Sequence, residues 1–141
     1  MKKGYEIDMT QSDIGLDRTS DKVKILIVED EFWEVRYIQI ILQGLGYEFC
    51  DSAATGREAI ESAAREEPDV ILMDIRLIGG MDGVEAAREI CACQDIPIIF
   101  MTGYALDDAR ERAMALNPLS FFEKPISRER IKALIDALFE G

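Results

Sequence analysis

Four acids, a hydroxyl and an ammonium follow apolar runs in this chain. ILIV (25–28) runs into Glu29, Asp30 and Glu31, and VILM (70–73) runs into Asp74. IPIIFM (96–101) ends on Thr102, and LSFF (119–122) is followed shortly by Lys124 and Pro125. A buried carboxylate is costly unless something pairs with it. Gathering Glu29, Asp30 and Asp74 without a partner would cost several kcal/mol in repulsion and desolvation. A divalent cation relieves that cost, and an all-oxygen donor set suits Mg²⁺ or Mn²⁺. One lysine beside the acids cannot neutralise all of them. A carboxylate nucleophile, a hard cation, the Thr102 hydroxyl and the Lys124 ammonium together suit phosphoryl transfer onto a carboxylate, giving an acyl phosphate.

Taken singly, these residues have plainer readings. An acid after a strand is commonly a turn or helix-cap residue, a strand-end threonine is commonly satisfied by backbone, and a lone lysine is commonly solvated. What sets them apart is that all fall at the carboxyl ends of four separate segments, where open α/β sheets bind ligands.

The elements that must position them follow from periodicity and caps. KILIV opens as a short β-branched strand. Residues 32–45 then carry Tyr37, Ile38, Ile41, Leu42 and Leu45 at helical spacing, which predicts that these face inward, with Phe32, Trp33, Val35 and Ile40 outward or at the edge. Gly44 and Gly46 close that helix, and GYEFC (46–50) is a short strand. Thr55 with Glu58 predicts a capping box for a helix to about Glu66. DVILMD (69–74) is apolar on both faces, as central parallel strands are. Asp82 caps the next helix, IPIIFMT (96–102) is a further strand, and residues 105–116 are helical. LSFF is a short edge strand, and Ser127 caps a last helix to about Phe139. Five βα units predict an open parallel sheet with helices on both faces. Residues 1–22, polar and aperiodic, read as a flexible leader before a domain at 23–141.

Bulk properties restrict the function. The 141 residues, 48% of them apolar, suit one domain with a real core. A net charge of −12 argues against a direct grip on nucleic acid or on an anionic membrane. No apolar run approaches the ~20 residues that span a bilayer, and the N-terminus lacks a signal-peptide core, so a cytoplasmic location is expected. Three cysteines make a disulfide framework improbable. Histidine is absent, which removes histidine-based acid–base chemistry and histidine metal ligands from the chain.

In ILIVEDE (25–31), VILMDIRL (70–77), MDGVEAA (81–87), IPIIFMTGYA (96–105) and FFEKPIS (121–127), the sequence resembles the response-regulator receiver domain of two-component signalling, over residues 24 to about 139. The resemblance implies a flavodoxin-like (βα)5 fold with strand order 2-1-3-4-5, and dependence on Mg²⁺. It implies phosphorylation at Asp74, with Asp30 a direct metal ligand and Glu29 the neighbouring acid. The backbone carbonyl of Arg76 is implied as a further ligand. Thr102 and Lys124 match the residues that engage the phosphoryl group, and Lys124–Pro125 matches a bond that is typically cis. Phe121 falls on the aromatic switch position, where tyrosine is more usual. The loop Ile78, Gly79, Gly80 is one residue longer than the commonest form and lacks its proline. Arg76 and Tyr104 occupy the two flanking positions that influence water access to the acyl phosphate, and both are bulky enough to shield it.

The expected function is a single-domain response regulator, with no separate output enzyme. It would take a phosphoryl group from a sensor histidine kinase or a histidine phosphotransfer protein, then switch a contact with a downstream protein target or pass the group on. Phe32 and Trp33, beside the acidic rim, are the candidate donor-facing surface. The face made by the fourth helix, fifth strand and fifth helix is the candidate homodimer surface. Two rivals fit less well. An aspartyl phosphatase needs a second acid two residues after the nucleophile, where Arg76 stands. A flavin binder needs a hydroxyl- and glycine-rich phosphate loop, where EDEFWE stands.

Overall fold

The computed structural model of the chain describes residues 22–103 and 107–139. The elements are β1 (Lys24–Val28), α1 (Phe32–Leu45), β2 (Glu48–Phe49), α2 (Gly56–Glu66) and β3 (Val70–Asp74). They continue as α3 (Gly83–Cys93), β4 (Ile98–Thr102), α4 (Asp107–Met114), β5 (Ser120–Glu123) and α5 (Arg128–Phe139). All strand pairs are parallel, in the order β2-β1-β3-β4-β5. This is the flavodoxin-like (βα)5 architecture that the resemblance implied.

Handedness dictates which face each helix takes. The step from β1 to β2 runs one way along the sheet, and the steps from β2 to β3, β4 and β5 run the other. Right-handed crossovers therefore put α1 on one face and α2, α3 and α4 on the opposite face. Helix α5 returns to pack beside α1. The strands serve both faces because neighbouring side chains point oppositely. Ile25, Ile27, Val70, Leu72, Ile99 and Met101 meet Ile38 and Leu42 of α1 and Ile131 and Ile135 of α5. Leu26, Val28, Ile71, Met73 and Phe100 meet Ala59 of α2, Val84 and Ile90 of α3, and Ala113 of α4. Two-sided burial is why these strands read as unbroken apolar runs.

Some expectations need correction. In α1 the buried positions are Val35, Ile38 and Leu42, while Tyr37 is 46% exposed. Val35 faces in because it is one turn before Ile38 and two before Leu42. The Tyr37 ring lies along the edge, where its phenol donates to the Ile126 carbonyl at 3.1 Å. The box at Thr55 is displaced: Thr55 Oγ1 accepts from the Glu58 amide at 3.1 Å, but the Glu58 carboxylate accepts from the Ala54 amide, one residue before the cap. Asp82 and Glu85 instead form a full capping box, with both bonds at 2.9 Å. Ser127 accepts from the Arg130 amide, as expected of a cap. Strand β1 spans KILIV as expected, while β2 and β4 are shorter than GYEFC and IPIIFMT suggested. Apart from Lys22, the expected leader lies outside the described residues, as does Tyr104.

One glycine fixes how closely α3 approaches the sheet edge. A Cβ at Gly83 would lie 2.1 Å from the Asp74 carbonyl oxygen and 2.9 Å from Ile75 Cα. The Gly83 amide meanwhile donates to the Ile75 carbonyl at 2.7 Å. These are backbone atoms and cannot rotate aside. Gly83→Ala should therefore destabilise the fold by about 1–3 kcal/mol or more, as overpacking does. At Gly44 nothing lies within 4 Å of a built Cβ, so Gly44→Ala should stabilise α1 by roughly 0.5–1 kcal/mol. Urea denaturation of both variants checks the pair, and equal effects would refute the close approach.

Candidate functional site

Glu29 and Asp30 follow β1, Asp74 ends β3, Thr102 ends β4, and Lys124 follows β5. Because β1, β3, β4 and β5 are consecutive in the sheet, all five residues share one carboxyl rim. The backbone fastens the last of them: the Lys124 amide donates to the Thr102 carbonyl at 2.8 Å. The following Lys124–Pro125 bond is cis, as the resemblance implied.

The Lys124 ammonium is the hub. Its Nζ lies 2.7 Å from Glu29 Oε1, 3.1 Å from Asp74 Oδ2 and 2.6 Å from Glu34 Oε1. Glu29, Asp74 and Thr102 are buried, at 2%, 3% and 1% exposure, and Asp30 is half-buried. Backbone amides hold the acids in place. Glu31 N donates to Glu29 Oε2 at 3.1 Å, and Arg76 N donates to Asp74 Oδ1 at 3.4 Å.

One cation does not balance this group. Burial pushes the Glu29 carboxyl up to about 8, the Asp74 charge adds to the shift, and the bond from Lys124 opposes it. Burial likewise raises Asp74, against Lys124. Burial works against the Lys124 charge, but its bonds to Glu29 and Glu34 more than offset this and hold the ammonium firmly protonated. Both acids thus sit where one further positive charge would be welcome. One oxygen from each of Glu29, Asp30 and Asp74 lies within 4.8 Å of the others. Three hard oxygen donors at this spacing, under-neutralised and partly desolvated, fit Mg²⁺ or Mn²⁺.

The remaining expected residues fall around this rim. Phe121 is half-buried on β5, packed against the α2–α4 side, with the Arg110 guanidinium 4.9 Å from its ring centre. Phe32 and Trp33 are 69% and 77% exposed, edge to face at 5.3 Å. Trp33 lines a groove of about 520 Å³ together with Glu34, Tyr37, Lys124, Pro125 and Ile126. Three contributors were missed from sequence. Glu34 looked like an ordinary first-turn acid. Gly83 sits in a quoted motif but gave no sign of its contact with Asp74. Arg112 of α4 binds Asp82 at 2.7 Å across helices, which no local pattern reveals.

The response regulator receiver domain family matches residues 25–136, and the chain belongs to that family. Receiver domains serve two-component signalling as phosphoryl acceptors and bind Mg²⁺ at an acidic site. The chain is 39% identical, over 79% of its length, to 31% of a protein-glutamate methylesterase/protein-glutamine glutaminase of Vibrio cholerae. It is 34% identical, over 82% of its length, to 54% of the transcriptional regulatory protein PdtaR of Mycobacterium tuberculosis. It therefore spans about a third to a half of these relatives. Among solved structures, the receiver domain of a modulated diguanylate cyclase from Desulfovibrio desulfuricans superposes with a TM-score of 0.80 at 33% identity, covering 85% of this chain and 95% of that one. The receiver domain of a Pseudomonas aeruginosa sensor histidine kinase, with a magnesium ion coordinated in its active-site cleft, gives 0.76 at 33% identity, covering 85% and 99%. Among the described residues no helix is long and apolar enough to cross a membrane.

The Glu29 shift makes stability depend on pH. A carboxyl that holds its proton to about pH 8 when folded, against an ordinary value of 4.5, favours the folded state most below pH 4.5. That contribution is lost as pH rises through 8. In a chelating buffer the melting temperature should fall between pH 5 and 8, and Glu29→Gln should flatten the decline. Parallel wild-type and Glu29→Gln curves would refute the shift.

Proposed function

We propose that this domain accepts a phosphoryl group on Asp74 from a histidine-phosphorylated donor, a sensor kinase or a histidine phosphotransfer protein. The single observation that carries the reading is the meeting of Glu29, Asp30 and Asp74 with Lys124 on one rim. An Asp74 carboxylate oxygen attacks phosphorus, the O–P bond forms as the P–N bond breaks, and the departing imidazole keeps the electron pair and takes up a proton. Glu29, Asp30, Asp74 and the Arg76 carbonyl would hold Mg²⁺, which supplies neutralising charge to the carboxylates and the transferring group. Lys124 pairs with one phosphoryl oxygen and the Thr102 hydroxyl donates to another. Their catalytic contribution is position and preset charge.

Thr102 moving toward the phosphoryl group would leave room for Phe121 to pack inward; lacking a hydroxyl, Phe121 acts by packing alone. Arg76, two residues after Asp74, limits water at the acceptor, and Tyr104 is assigned the same role from its sequence position two residues after Thr102. The switched surface then engages a downstream protein, or the group is passed on. A homodimer through α4, β5 and α5 faces competition, because Arg112 already pairs with Asp82 and Asp108, and Arg110 and Arg130 lie over Phe121 and Phe122. The reading places the domain in the cytoplasm with its donor, and the net charge of −12 supports protein rather than nucleic acid or membrane as its partner.

Acetyl phosphate with Mg²⁺ should add one phosphoryl group by intact mass, lost in Asp74→Asn and after chelation; labelling that survives in Asp74→Asn overturns the assignment. Once donor is removed, Arg76→Ala should lose the group faster than wild type, and an equal rate removes Arg76 from shielding. For the donor surface, Trp33→Ala should slow transfer from a phosphorylated cognate kinase by about tenfold, as loss of an interface anchor does. Unaltered transfer by a folded variant excludes Trp33.

A further inference from the structure

Glu34 makes the shortest of the three contacts to the Lys124 ammonium, 2.6 Å against 2.7 and 3.1 Å. An acid in the first turn of α1 is unremarked by itself, since a helix N-terminus favours negative charge. That explains the residue type but not its direction. The carboxylate reaches across to the residue that follows β5.

An ammonium has three N–H donors. Here each has its own carboxylate, so none remains for a phosphoryl oxygen until one acid yields. The three differ in their ability to do so. The Glu29 side chain is 0% exposed and is held by the Glu31 amide. The Asp74 side chain is 5% exposed and is the acceptor itself. Glu34 is 42% exposed and stands on the wall of the groove between α1 and Pro125, so it can turn outward without stranding a buried charge.

We propose that Glu34 is a positioning residue for Lys124: it occupies the third ammonium donor in the resting site and surrenders it to the phosphoryl group. The inference rests on the reading of Asp74 as acceptor. Capture is then an exchange of hydrogen bonds at Lys124, from a Glu34 oxygen to a phosphoryl oxygen. No covalent bond changes at Glu34 and no proton is transferred. Glu34 thereby slows phosphorylation and weakens retention of any phosphoryl-shaped ligand, and its length matters as much as its charge.

Two variants separate reach from charge. Glu34→Gln removes the charge, whereas Glu34→Asp keeps it at the helix start but is one methylene too short to hold Lys124. Labelling by acetyl phosphate with Mg²⁺, followed by intact mass, should be about two- to fivefold faster in both, the range an ion pair of this exposure can carry. Fluorescence of Trp33, the only tryptophan in the chain, should report beryllofluoride with Mg²⁺ binding tighter by a similar factor in both. A purely structural role would not move that affinity. If Glu34→Asp behaves as wild type while Glu34→Gln is faster, charge alone acts and the exchange is refuted. Unchanged or slower labelling in both variants also refutes it. If the wild-type protein takes no label at all, the acceptor reading itself has failed, and this inference with it.

Discussion

The Lys124 ammonium is held by Glu29, Asp74 and Glu34 at once, and that concentration of charge sets conditions the fold must meet. Three acids within bonding distance of one cation repel each other and resist burial. They can be kept there only by a frame whose apolar packing is strong and whose strand ends are fixed. The two-sided core supplies this. Every residue of β3 and β4 is buried, and these strands carry Asp74 and Thr102 at their ends. Two such strands side by side leave their terminal residues little freedom, so the electrostatic strain is borne by packing several residues away.

The strand order also determines where the rim opens. Strand β1 lies between β2 and β3, so the chain leaves β1 toward one face and leaves β3 toward the other. Helices α1 and α3 diverge above the β1/β3 pair, and Glu29, Asp30 and Asp74 sit in that divergence. Gly83 lets α3 start hard against the Asp74 peptide. A side chain there would push the helix start away from the loop that carries Asp74 and Arg76. The site is thus a consequence of topology and of one missing Cβ, as well as of its acids.

What the sequence discloses follows the same physics. Central parallel strands are apolar on both faces, so ILIV, VILM and IIFM were legible as strands, and their polar ends as one rim. Glycine and caps marked the helix limits because they act within three or four residues. Phase was less legible. Tyr37 counts as apolar in a periodicity reading but can satisfy its hydroxyl only at an edge, so Val35 took the inward place. Glu34 and Arg112 were illegible for a different reason. Their partners, Lys124 and Asp82, are distant in the chain, and a surface acid or arginine on a helix looks the same with or without such a partner.

The helices are not equally secured, which bears on how a change at the rim could spread. Helix α1 buries Val35, Ile38 and Leu42, and α3 buries Val84 and Ile90 with three small residues. Among the described residues of α4, only Ala109 and Ala113 are buried, and burying a methyl group contributes far less than burying a leucine or isoleucine. What else ties α4 down is polar: Arg112 to Asp82, the cap of α3, and Arg110 over the Phe121 ring. Such contacts are individually worth about a kcal/mol or less when partly exposed. Both reach elements that begin or end beside the acidic rim. Among its described residues α4 therefore has little apolar packing, and its polar anchors reach the start of α3 and strand β5. Small rearrangements of Asp82 or Phe121 would shift its balance before they disturbed the core.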